Sequence, residues 1–198
     1  MSLNFKKKGN PKKVIDTNKK ILVNQFEKKK KKEKEKDAED KILWKSKMEI
    51  NSNKLEYGNK YAEIIDFGIL DEKGQITNTI NKNENFKIKM KVKFNEKIQE
   101  PIFAFTIKDI KGNEITGTNT MIEEVFFKNP EKRESMEIEF EQLMNLQGGE
   151  YLLSFGCTGF KNGDFTVYHR LYDVCSLIVV STKDSVGFYD MNSSITIK

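Results

Sequence analysis

The side chains that commonly perform catalysis are few in this sequence and form no recognised arrangement. His169 is the only histidine, so a Ser-His-Asp or Cys-His arrangement would have to be built around it, and no nucleophile is marked near it. The sequence has no GxxxxGK[ST] phosphate loop, no GxSxG elbow and no Cys/His cluster with metal-ligand spacing. We therefore expect a protein that is not an enzyme and that uses no cofactor and no metal.

The segment 101–120 has the features of a binding surface rather than of a catalytic site. Its first half alternates large apolar side chains with the small residues Ala104 and Thr106, and its second half ends in hydroxyl and amide groups. A face of small residues beside polar strand ends leaves room for a ligand to lie across a sheet. The sequence must therefore supply strands that hold this face open.

Two segments show the strongest strand pattern. Over 86–94, apolar residues alternate with four lysines, and over 136–141 they alternate with Glu137, Glu139 and Glu141. Opposite charges on neighbouring strands stabilise a sheet by about 0.2 to 1 kcal/mol per pair. We therefore predict that strand 86–94 pairs with strand 135–141 and that the two strands are antiparallel.

The remaining pattern predicts an all-β protein. Further strands are predicted at 62–70, 102–108, 114–118, 121–127, 151–157, 166–171 and 174–180, with an isolated strand at 193–198. Turn signals rich in Gly, Asn and Lys separate them, and no amphipathic helix lies between them. This arrangement favours an antiparallel β-sandwich over a parallel α/β fold.

Charge divides the chain at residue 47. Residues 1–47 have a net charge of +10 and residues 48–198 a net charge of −5, although the whole chain is +5. A helix start at 9–11 and an apolar stripe up to Phe26, followed by the almost fully charged segment 28–40, predict a basic helical linker over 1–47. The lysine run at 28–32 has no interleaved aromatic residues for base stacking, so we do not expect nucleic acid as a partner. Its lysines can contact an anionic membrane surface or act as a solvated spacer.

The sequence also indicates a cytoplasmic protein. No stretch reaches the roughly 18 consecutive apolar residues of a membrane helix, and the N-terminus lacks the apolar run of a signal peptide. Cys157 and Cys175 are the only cysteines. We expect both to be reduced and buried rather than bridged.

The sequence resembles the C-terminal domain of Wzt-type proteins, the ATPase subunits of ABC transporters that export O-antigen and related cell-surface polysaccharides. Segment 101–120 resembles the family's P-x-F-G-F-x-I-x-D-x-x-G…G-T-N-T signature, with Ala104 in place of the usual glycine. Segment 143–155 is similar to its L-x-x-G-x-Y-x-L strand and 173–179 to its closing strand. The resemblance covers about residues 61–190, and 9–15 resembles the helix start that closes the nucleotide-binding domain.

The resemblance implies a fold, a function and partners. It implies an immunoglobulin-like sandwich over 48–198 that binds the exported, lipid-linked glycan, either O-antigen or a teichoic-acid-like polymer. It further implies a homodimer that exchanges the last strand, 193–198, so truncation after Asp190 should give a monomeric or insoluble protein. The catalytic ATPase would be a separate domain of the parent protein, which would contact a transmembrane transporter subunit at the inner face of the cell membrane.

Two clusters have the chemistry that sugar recognition needs, which is convergent hydrogen-bonding groups beside a flat aromatic or arginine face. The first cluster is Thr116, Thr118, Asn119 and Thr120, and the second is Phe160, Tyr168, His169, Arg170 and Tyr172. Arg170 suits an anionic glycan or a phosphate-bearing cap. Two other interpretations stay open, because the hydroxyl cluster can simply end a strand and Tyr168 or Tyr172 can belong to the core.

A second class of function is also compatible with the sequence. In this alternative the sandwich is a dimerisation or interaction module whose basic arm docks on a membrane or a partner, with no sugar site. Glycan binding that is lost on Arg170→Ala or Tyr168→Ala, with folding retained, would separate the two.

Overall fold

The computed structural model describes residues 43–198, so the predicted basic helix and lysine-rich segment lie outside the described residues. Within this range a 3₁₀ turn, Trp44–Lys47, precedes the strands. The strands are β1 (Leu55–Tyr57), β2 (Ala62–Leu70), β3 (Thr79–Asn81), β4 (Asn85–Phe94), β5 (Ile102–Asp109), β6 (Glu114–Asn119), β7 (Ser135–Leu143), β8 (Gly149–Lys161) and β9 (Asp164–Val180).

The strands form two sheets that pack face to face. The larger sheet has the order β1-β9-β8-β5-β6, with β3 also paired to β9, and the smaller sheet has the order β2-β4-β7. The pairs are antiparallel except that β3 runs parallel to β9. The all-β, immunoglobulin-like antiparallel sandwich predicted from the sequence is therefore confirmed.

The core lies between the sheets and follows the alternation of apolar residues. In β4 the even-numbered positions from Phe86 to Phe94 are buried, while the lysines between them are partly or fully exposed. In β5, Phe103 and Phe105 face the same core. Ring contacts join the strands, since the centroid of Phe105 lies 5.0 Å from that of Phe140 in β7. The expected burial of both cysteines is also confirmed.

The predicted pairing of the lysine strand with the glutamate strand is confirmed. Lys87 lies opposite Glu141, Lys89 opposite Glu139 and Lys91 opposite Glu137 in the antiparallel register. Lys91 Nζ is 2.9 Å from a Glu137 carboxylate oxygen. Opposite charges therefore face each other along the exposed side of this strand pair, which stabilises the pairing.

The two strands predicted at 166–171 and 174–180 are one continuous strand, β9. The pairing of β9 with β8 shifts at Ser154, which faces residues 172–174. Asp173 has a positive φ of 52°, and its backbone N–H donates to Ser154 Oγ at 2.8 Å. A bulge of this kind interrupts the alternation without ending the strand, which explains why the pattern looked like two strands.

The strand predicted at 121–127 is wrong. Residues 121–124 form a turn, and 125–130 form no regular structure. Asn119 Oδ1 accepts the backbone N–H groups of Met121 and Ile122 at 3.0 and 2.8 Å, which turns the chain away from the sheet. Apolar composition alone therefore gave a false strand signal here.

The C-terminal segment is held in place up to about Asn192. Asp190 is buried, and its carboxylate lies 2.9 Å from Lys82 Nζ and 2.6 Å from Lys183 Nζ. These ammonium groups, Lys183 first, hold the pKa of Asp190 well below its usual range. Residues 193–198 belong to no strand, and Ile195 and Ile197 are 85% and 94% exposed.

Candidate functional site

An open groove crosses the outer face of the larger sheet, away from the sandwich core. Its floor consists of the outward positions of three central strands, namely Ala104 and Thr106 of β5, Ser154 and Gly156 of β8, and Arg170 and Tyr172 of β9. The groove has a volume of about 390 Å³. Small side chains on β5 and β8 keep the floor low, as the sequence predicted for the face that contains Ala104.

The edge strand β6 forms one side of the groove, and at Gly117 its backbone lies very close to the backbone of β5. A Cβ atom placed on Gly117 would lie 2.6 Å from the carbonyl oxygen of Phe105. A side chain there would push β6 away from β5. Glycine at this position therefore sets the width of the groove.

Arg170 and Tyr172 form the polar wall on β9. Arg170 Nη1 donates a hydrogen bond to the hydroxyl oxygen of Tyr172 at 3.1 Å, and the guanidinium carbon lies 5.7 Å from the Tyr172 ring centroid. A Cβ atom on Gly156 would lie 3.6 Å from Arg170 Nε, so the arginine side chain runs close to the sheet backbone. Among residues 43–198, Arg170 Nε is buried without a hydrogen-bond partner.

Tyr57 extends this wall, and the sequence analysis did not identify it. β1 pairs with β9 so that Tyr57 lies opposite Arg170 on the same face. Its ring stacks on Tyr172 with a centroid distance of 5.8 Å, and the two hydroxyl oxygens are 3.4 Å apart. A three-residue strand has no detectable periodicity, so only the tertiary pairing brings Tyr57 to the groove.

Lys108 adds a second cation next to Tyr172. Its Nζ lies 4.7 Å from the Tyr172 ring centroid and 3.2 Å from Asp173 Oδ1. Ser154 Oγ also donates to Asp173 Oδ1 at 3.1 Å. Asp173 is therefore occupied by its neighbours, and the bulge at this residue positions Tyr172 beside both cations.

The predicted threonines at 116 and 118 lie at the rim of the groove on β6. Thr118 pairs with Phe105, a core residue. Thr116 pairs with Ile107, which is also buried. Cross-strand neighbours share a face, so both threonines point to the core side of the edge strand. Thr118 Oγ1 donates to a Glu123 carboxylate oxygen at 2.5 Å.

Asn119 and Thr120 have structural partners. Asn119 lines the groove, but its Oδ1 accepts the backbone N–H groups of Met121 and Ile122. Thr120 is buried, and its Oγ1 accepts the N–H of Phe103 at 3.2 Å. Thr120 Oγ1 and Asn119 Oδ1 therefore bond to the backbone where β6 ends, as in the interpretation that this cluster simply ends a strand.

The structure does not bring Phe160, Tyr168 and His169 to the groove. Tyr168 is 3% exposed and belongs to the core cluster. His169 pairs with Cys157 on the core side of β9. Phe160 is exposed in the β8–β9 hairpin, where its ring centroid lies 5.8 Å from that of Phe165. The second predicted cluster therefore contributes Arg170 and Tyr172 to the groove, because neighbouring residues of a strand alternate between faces and a bulge occurs at Tyr168.

His169 is bonded inside the sandwich. Its Nδ1 accepts the backbone N–H of Ile64 at 2.8 Å, and its Nε2 lies 3.1 Å from a Glu56 carboxylate oxygen. Burial lowers the pKa of His169. Hydrogen bonds from Lys60 and then His169 lower the pKa of Glu56 to about 2. This cluster joins β9 to β1, to β2 and to the β1–β2 loop.

Within residues 43–198, we also searched for a cluster that could bind a metal ion and for a helix that could cross a membrane. Over 43–198 there is no group of three or more His, Cys, Asp or Glu side chains arranged to hold a metal ion. In the same part of the chain, no helix has the length and apolar character needed to cross a bilayer.

The fold is that of an immunoglobulin-like β-sandwich domain with a groove on its larger sheet. The family model for the Wzt C-terminal domain matches residues 53–191. The chain therefore belongs to the Wzt C-terminal domain family.

One solved structure agrees with this assignment. The chain is similar to the crystal structure of the C-terminal domain of wzt, with 26% identity and a TM-score of 0.73, over 80% of this chain and 98% of that one. The CARDB domain of a Pyrococcus furiosus protein shows a weaker likeness, with 11% identity over 60% of this chain and 90% of that one and a TM-score of 0.36. A β-glucosidase from Listeria innocua has 13% identity over 62% of this chain and 17% of its own, with a TM-score of 0.35. No curated protein is a significant match for the sequence.

Proposed function

We propose that this domain is the carbohydrate-binding module of a polysaccharide-export ABC transporter and that it binds the glycan in the groove formed by β5, β6, β8 and β9. The observation that carries the proposal is the juxtaposition of a low floor of small residues with the polar wall of Arg170 and Tyr172. Membership of the Wzt C-terminal domain family supports it. The proposed role is binding, with no chemical step.

The groove offers both kinds of contact that a sugar needs. The stacked rings of Tyr57 and Tyr172 provide apolar faces for sugar C–H groups, and Tyr57 is nearly half exposed. Arg170 and the hydroxyl of Thr106 provide hydrogen-bonding groups along the floor. The groove is open, as a surface for a long polymer must be.

The cellular setting belongs to the same proposal. The domain would act at the inner face of the cell membrane, joined through its basic N-terminal segment to the ATPase domain of a transporter. Its partners would be a lipid-linked polysaccharide, of the O-antigen or teichoic-acid-like type, the transmembrane subunit, and a second copy of itself.

Binding to an array of bacterial surface polysaccharides tests the proposal. The full chain should bind at least one polysaccharide, and Arg170→Ala or Tyr172→Ala should reduce the affinity at least tenfold while the circular dichroism spectrum and melting temperature stay unchanged. Arg133→Ala, at an exposed arginine outside the groove, is the matched control. Tyr168→Ala is unsuitable because Tyr168 is a core residue. Binding that is insensitive to both groove variants would place the site elsewhere.

One observation favours the alternative of an interaction module without a sugar site. The loop after β6 exposes several large apolar side chains, namely Met121, Ile122, Val125 and Phe126. Exposed apolar clusters often mark contacts with other proteins. If no polysaccharide binds the full chain, this alternative becomes the better account of the domain.

A further inference from the structure

A second pocket lies at one end of the sandwich, between the β4–β5 loop and the tip of the β8–β9 hairpin. It has a volume of about 460 Å³ and no lining residue in common with the groove. We call it the end pocket. Phe160 and Tyr168, which the sequence singled out for sugar recognition and which do not reach the groove, both line it. The structure therefore brings these two predicted residues together at a different place.

The hydroxyl of Tyr168 is a polar group without a partner in the protein. Tyr168 is 3% exposed, yet its hydroxyl oxygen makes no hydrogen bond to any atom of residues 43–198. The oxygen is not fully enclosed by protein atoms, and the side chain lines the end pocket. Tyr151, the other buried tyrosine of the described range, donates to the carbonyl oxygen of Gln147 at 2.8 Å. Because buried hydroxyls nearly always have a partner, we infer that the Tyr168 hydroxyl is available to a ligand in the end pocket.

The local backbone fixes the position of the Tyr168 ring. A bulge in the pairing of β8 with β9 occurs at Tyr168. A Cβ atom placed on Gly159 would lie 2.9 Å from Tyr168 Cε2 and 3.1 Å from its hydroxyl oxygen. Glycine at this position therefore makes room for the ring to pack directly over β8, as part of the core cluster. A rigidly held hydroxyl of this kind can orient a ligand.

The other free polar groups of the end pocket are side-chain amides. Gln99 and Asn162 line the pocket and are exposed, and neither amide makes a hydrogen bond within the described part of the chain. Each amide has both donors and an acceptor, and a tyrosine hydroxyl likewise donates and accepts. The groups that are free to bind a ligand therefore match a ligand whose own groups donate and accept.

The charged side chains of the end pocket already have partners. A carboxylate oxygen of Glu96 lies 2.9 Å from a lysine ammonium, and Lys97 Nζ lies 2.8 Å from a glutamate carboxylate oxygen. Lys161 Nζ lies over the ring of Tyr61, 4.8 Å from its centroid. These contacts largely compensate the charges, so the groups left for a ligand are the neutral ones.

An apolar surface lies beside the free polar groups. The ring of Phe160 is 52% exposed, and the buried side chain of Ile98 also lines the end pocket. Sugars present hydroxyl groups that donate and accept as well as apolar C–H faces, and an aromatic ring beside convergent polar groups suits both. The end pocket has this combination.

We propose that the end pocket is a second carbohydrate-binding site, which takes one neutral sugar residue against the ring of Phe160 and bonds its hydroxyls to Tyr168, Gln99 and Asn162. The inference goes beyond the proposed function, because it is argued from groups that have no part in the groove. The sugar is either a residue of the polymer that the groove binds or a free sugar, and the recognition chemistry is the same for both.

An NMR titration of the full chain tests the inference. The probes are the methyl glycosides of D-glucose, D-galactose, D-mannose and N-acetyl-D-glucosamine. The controls are glycerol, which has hydroxyls but no ring, and cyclohexanol, which has a ring with a single hydroxyl. We expect at least one glycoside to shift the backbone amides of Gln99, Asn162 and Tyr168 in a saturable way, and neither control to do so.

The variant Tyr168→Phe separates a binding role of the hydroxyl from a structural one. It keeps the core ring and removes a hydroxyl that has no partner in residues 43–198, so the melting temperature should stay unchanged. The affinity for the glycoside should fall roughly threefold to tenfold, because one hydrogen bond is lost. Tyr151→Phe is the matched control. It removes a hydroxyl that is bonded to Gln147, so it should lower the melting temperature and leave the affinity unchanged.

Two exposed positions give a second set of variants that do not disturb the core. Phe160→Ala should weaken glycoside binding about tenfold, because the ring that packs against the sugar is removed. Gln99→Ala should weaken it roughly threefold. Arg170→Ala, in the groove, should leave binding to the end pocket unchanged.

The outcomes keep this inference separate from the groove. It is overturned if no glycoside shifts the amides of the end pocket, or if Tyr168→Phe and Phe160→Ala keep full affinity. Cyclohexanol shifting these amides as strongly as the glycosides would also overturn it, since the cavity would then be a general apolar one. The groove is tested by Arg170→Ala and Tyr172→Ala, so either site can fail without the other.

A polysaccharide that binds the full chain identifies the source of the sugar. If Tyr168→Phe weakens its binding, the end pocket takes a residue of that polymer. If Tyr168→Phe weakens glycoside binding alone, the end pocket takes a free sugar. Both results support a second site.

Discussion

Individual residues in this domain take their roles from the face of the strand on which they lie. His169 and Arg170 are adjacent in the chain, yet His169 is 3% exposed and bonded to β2, whereas Arg170 faces the groove. The same alternation separates Tyr172, in the groove wall, from Leu171, in the core. Residue type alone therefore identifies candidate binding residues. The face of the strand on which each one lies decides whether it reaches the groove.

His169 should make the free energy of unfolding of the domain depend on pH below about pH 6.5. Its Nδ1 accepts a backbone N–H and its ring is buried, so the folded state favours the neutral form and its pKa lies below the unfolded value of about 6.5. As the pH falls below that value, the unfolded chain binds a proton before the folded chain does, so the free energy of unfolding decreases. The decrease cannot exceed about 1.4 kcal/mol per pH unit.

Urea unfolding between pH 8 and pH 5.5 measures this effect. His169→Gln is the matched variant, because a glutamine oxygen can accept the Ile64 N–H but does not titrate. The wild type should lose stability relative to this variant below about pH 6.5. Parallel pH profiles for the two proteins would contradict the prediction.

Asp66 should hold the 3₁₀ turn on the sandwich. Its carboxylate is buried and accepts the backbone N–H groups of Trp44, Lys45 and Phe67 at 2.9, 3.0 and 2.9 Å. Asp66→Ala leaves these donors without an acceptor and should lower the free energy of unfolding by about 1–3 kcal/mol. Trp44 is the only tryptophan, so its fluorescence should also shift to the red as the turn detaches.

The control for Asp66 is an aspartate without such bonds. Asp164 is exposed in the β8–β9 hairpin, and Asp164→Ala should change stability by less than about 0.5 kcal/mol. Equal effects of the two substitutions, or unchanged fluorescence in Asp66→Ala, would argue against an anchoring role.

At the scale of elements, the pairing of β4 with β7 depends on charge as well as on burial. Glu139 lies between two lysines, 2.7 Å from Lys87 Nζ and 3.5 Å from Lys89 Nζ. These lysines, Lys87 first, lower the pKa of Glu139. The pairs are partly exposed, so each one contributes a few tenths of a kcal/mol up to about 1 kcal/mol.

A charge swap tests this contribution. Glu139→Lys should destabilise the domain because it places three lysines side by side, and adding Lys89→Glu should recover part of the loss. A double-mutant cycle in low salt should give a favourable coupling that shrinks in 1 M salt. The loop pair Lys97–Glu131 is the control, since both side chains are more than half exposed. A coupling no larger than that of the loop pair would show that these charges do not stabilise the pairing of β4 with β7.

At the scale of the whole molecule, the segment 193–198 lies outside the strands of the single sandwich. The segment up to Asn192 is held by the buried Lys82–Asp190 ion pair, after which Ile195 and Ile197 alternate at strand spacing and are exposed. Exchange of such a segment between two copies is a low-cost route to a symmetric dimer. We therefore predict a dimer in solution.

Light scattering tests the prediction. The full chain should have the mass of a dimer, and truncation after Asp190, which keeps the ion pair, should give a monomeric or insoluble protein. Ile195→Ser combined with Ile197→Ser should act in the same direction without shortening the chain. A monomeric full chain would refute the exchange and leave the groove proposal unaffected.

Much of the fold could be predicted from the sequence because the strands alternate strictly. The period of two in β4 and β7 gave their bounds within one or two residues, and their opposite charges gave the pairing. β1 and β3 could not be predicted, since three residues are too few for a period and their pairing with β9 is long-range. The turn at 121–124 was missed because the side chain of Asn119, rather than the apolar pattern, decides the path of the chain there.

The candidate site, like the fold, was predicted only in part from the sequence. The sequence predicted that Arg170 and the small residues Ala104 and Thr106 would lie on strands, because residue type and alternation are local properties, but it left Tyr172 between two predicted strands. Only the tertiary structure decided which of them meet. The bulges at Tyr168 and Asp173 reset the faces of β9, and the pairing of β1 brings in Tyr57. Backbone pairing between distant strands fixes these contacts, and no local pattern encodes it.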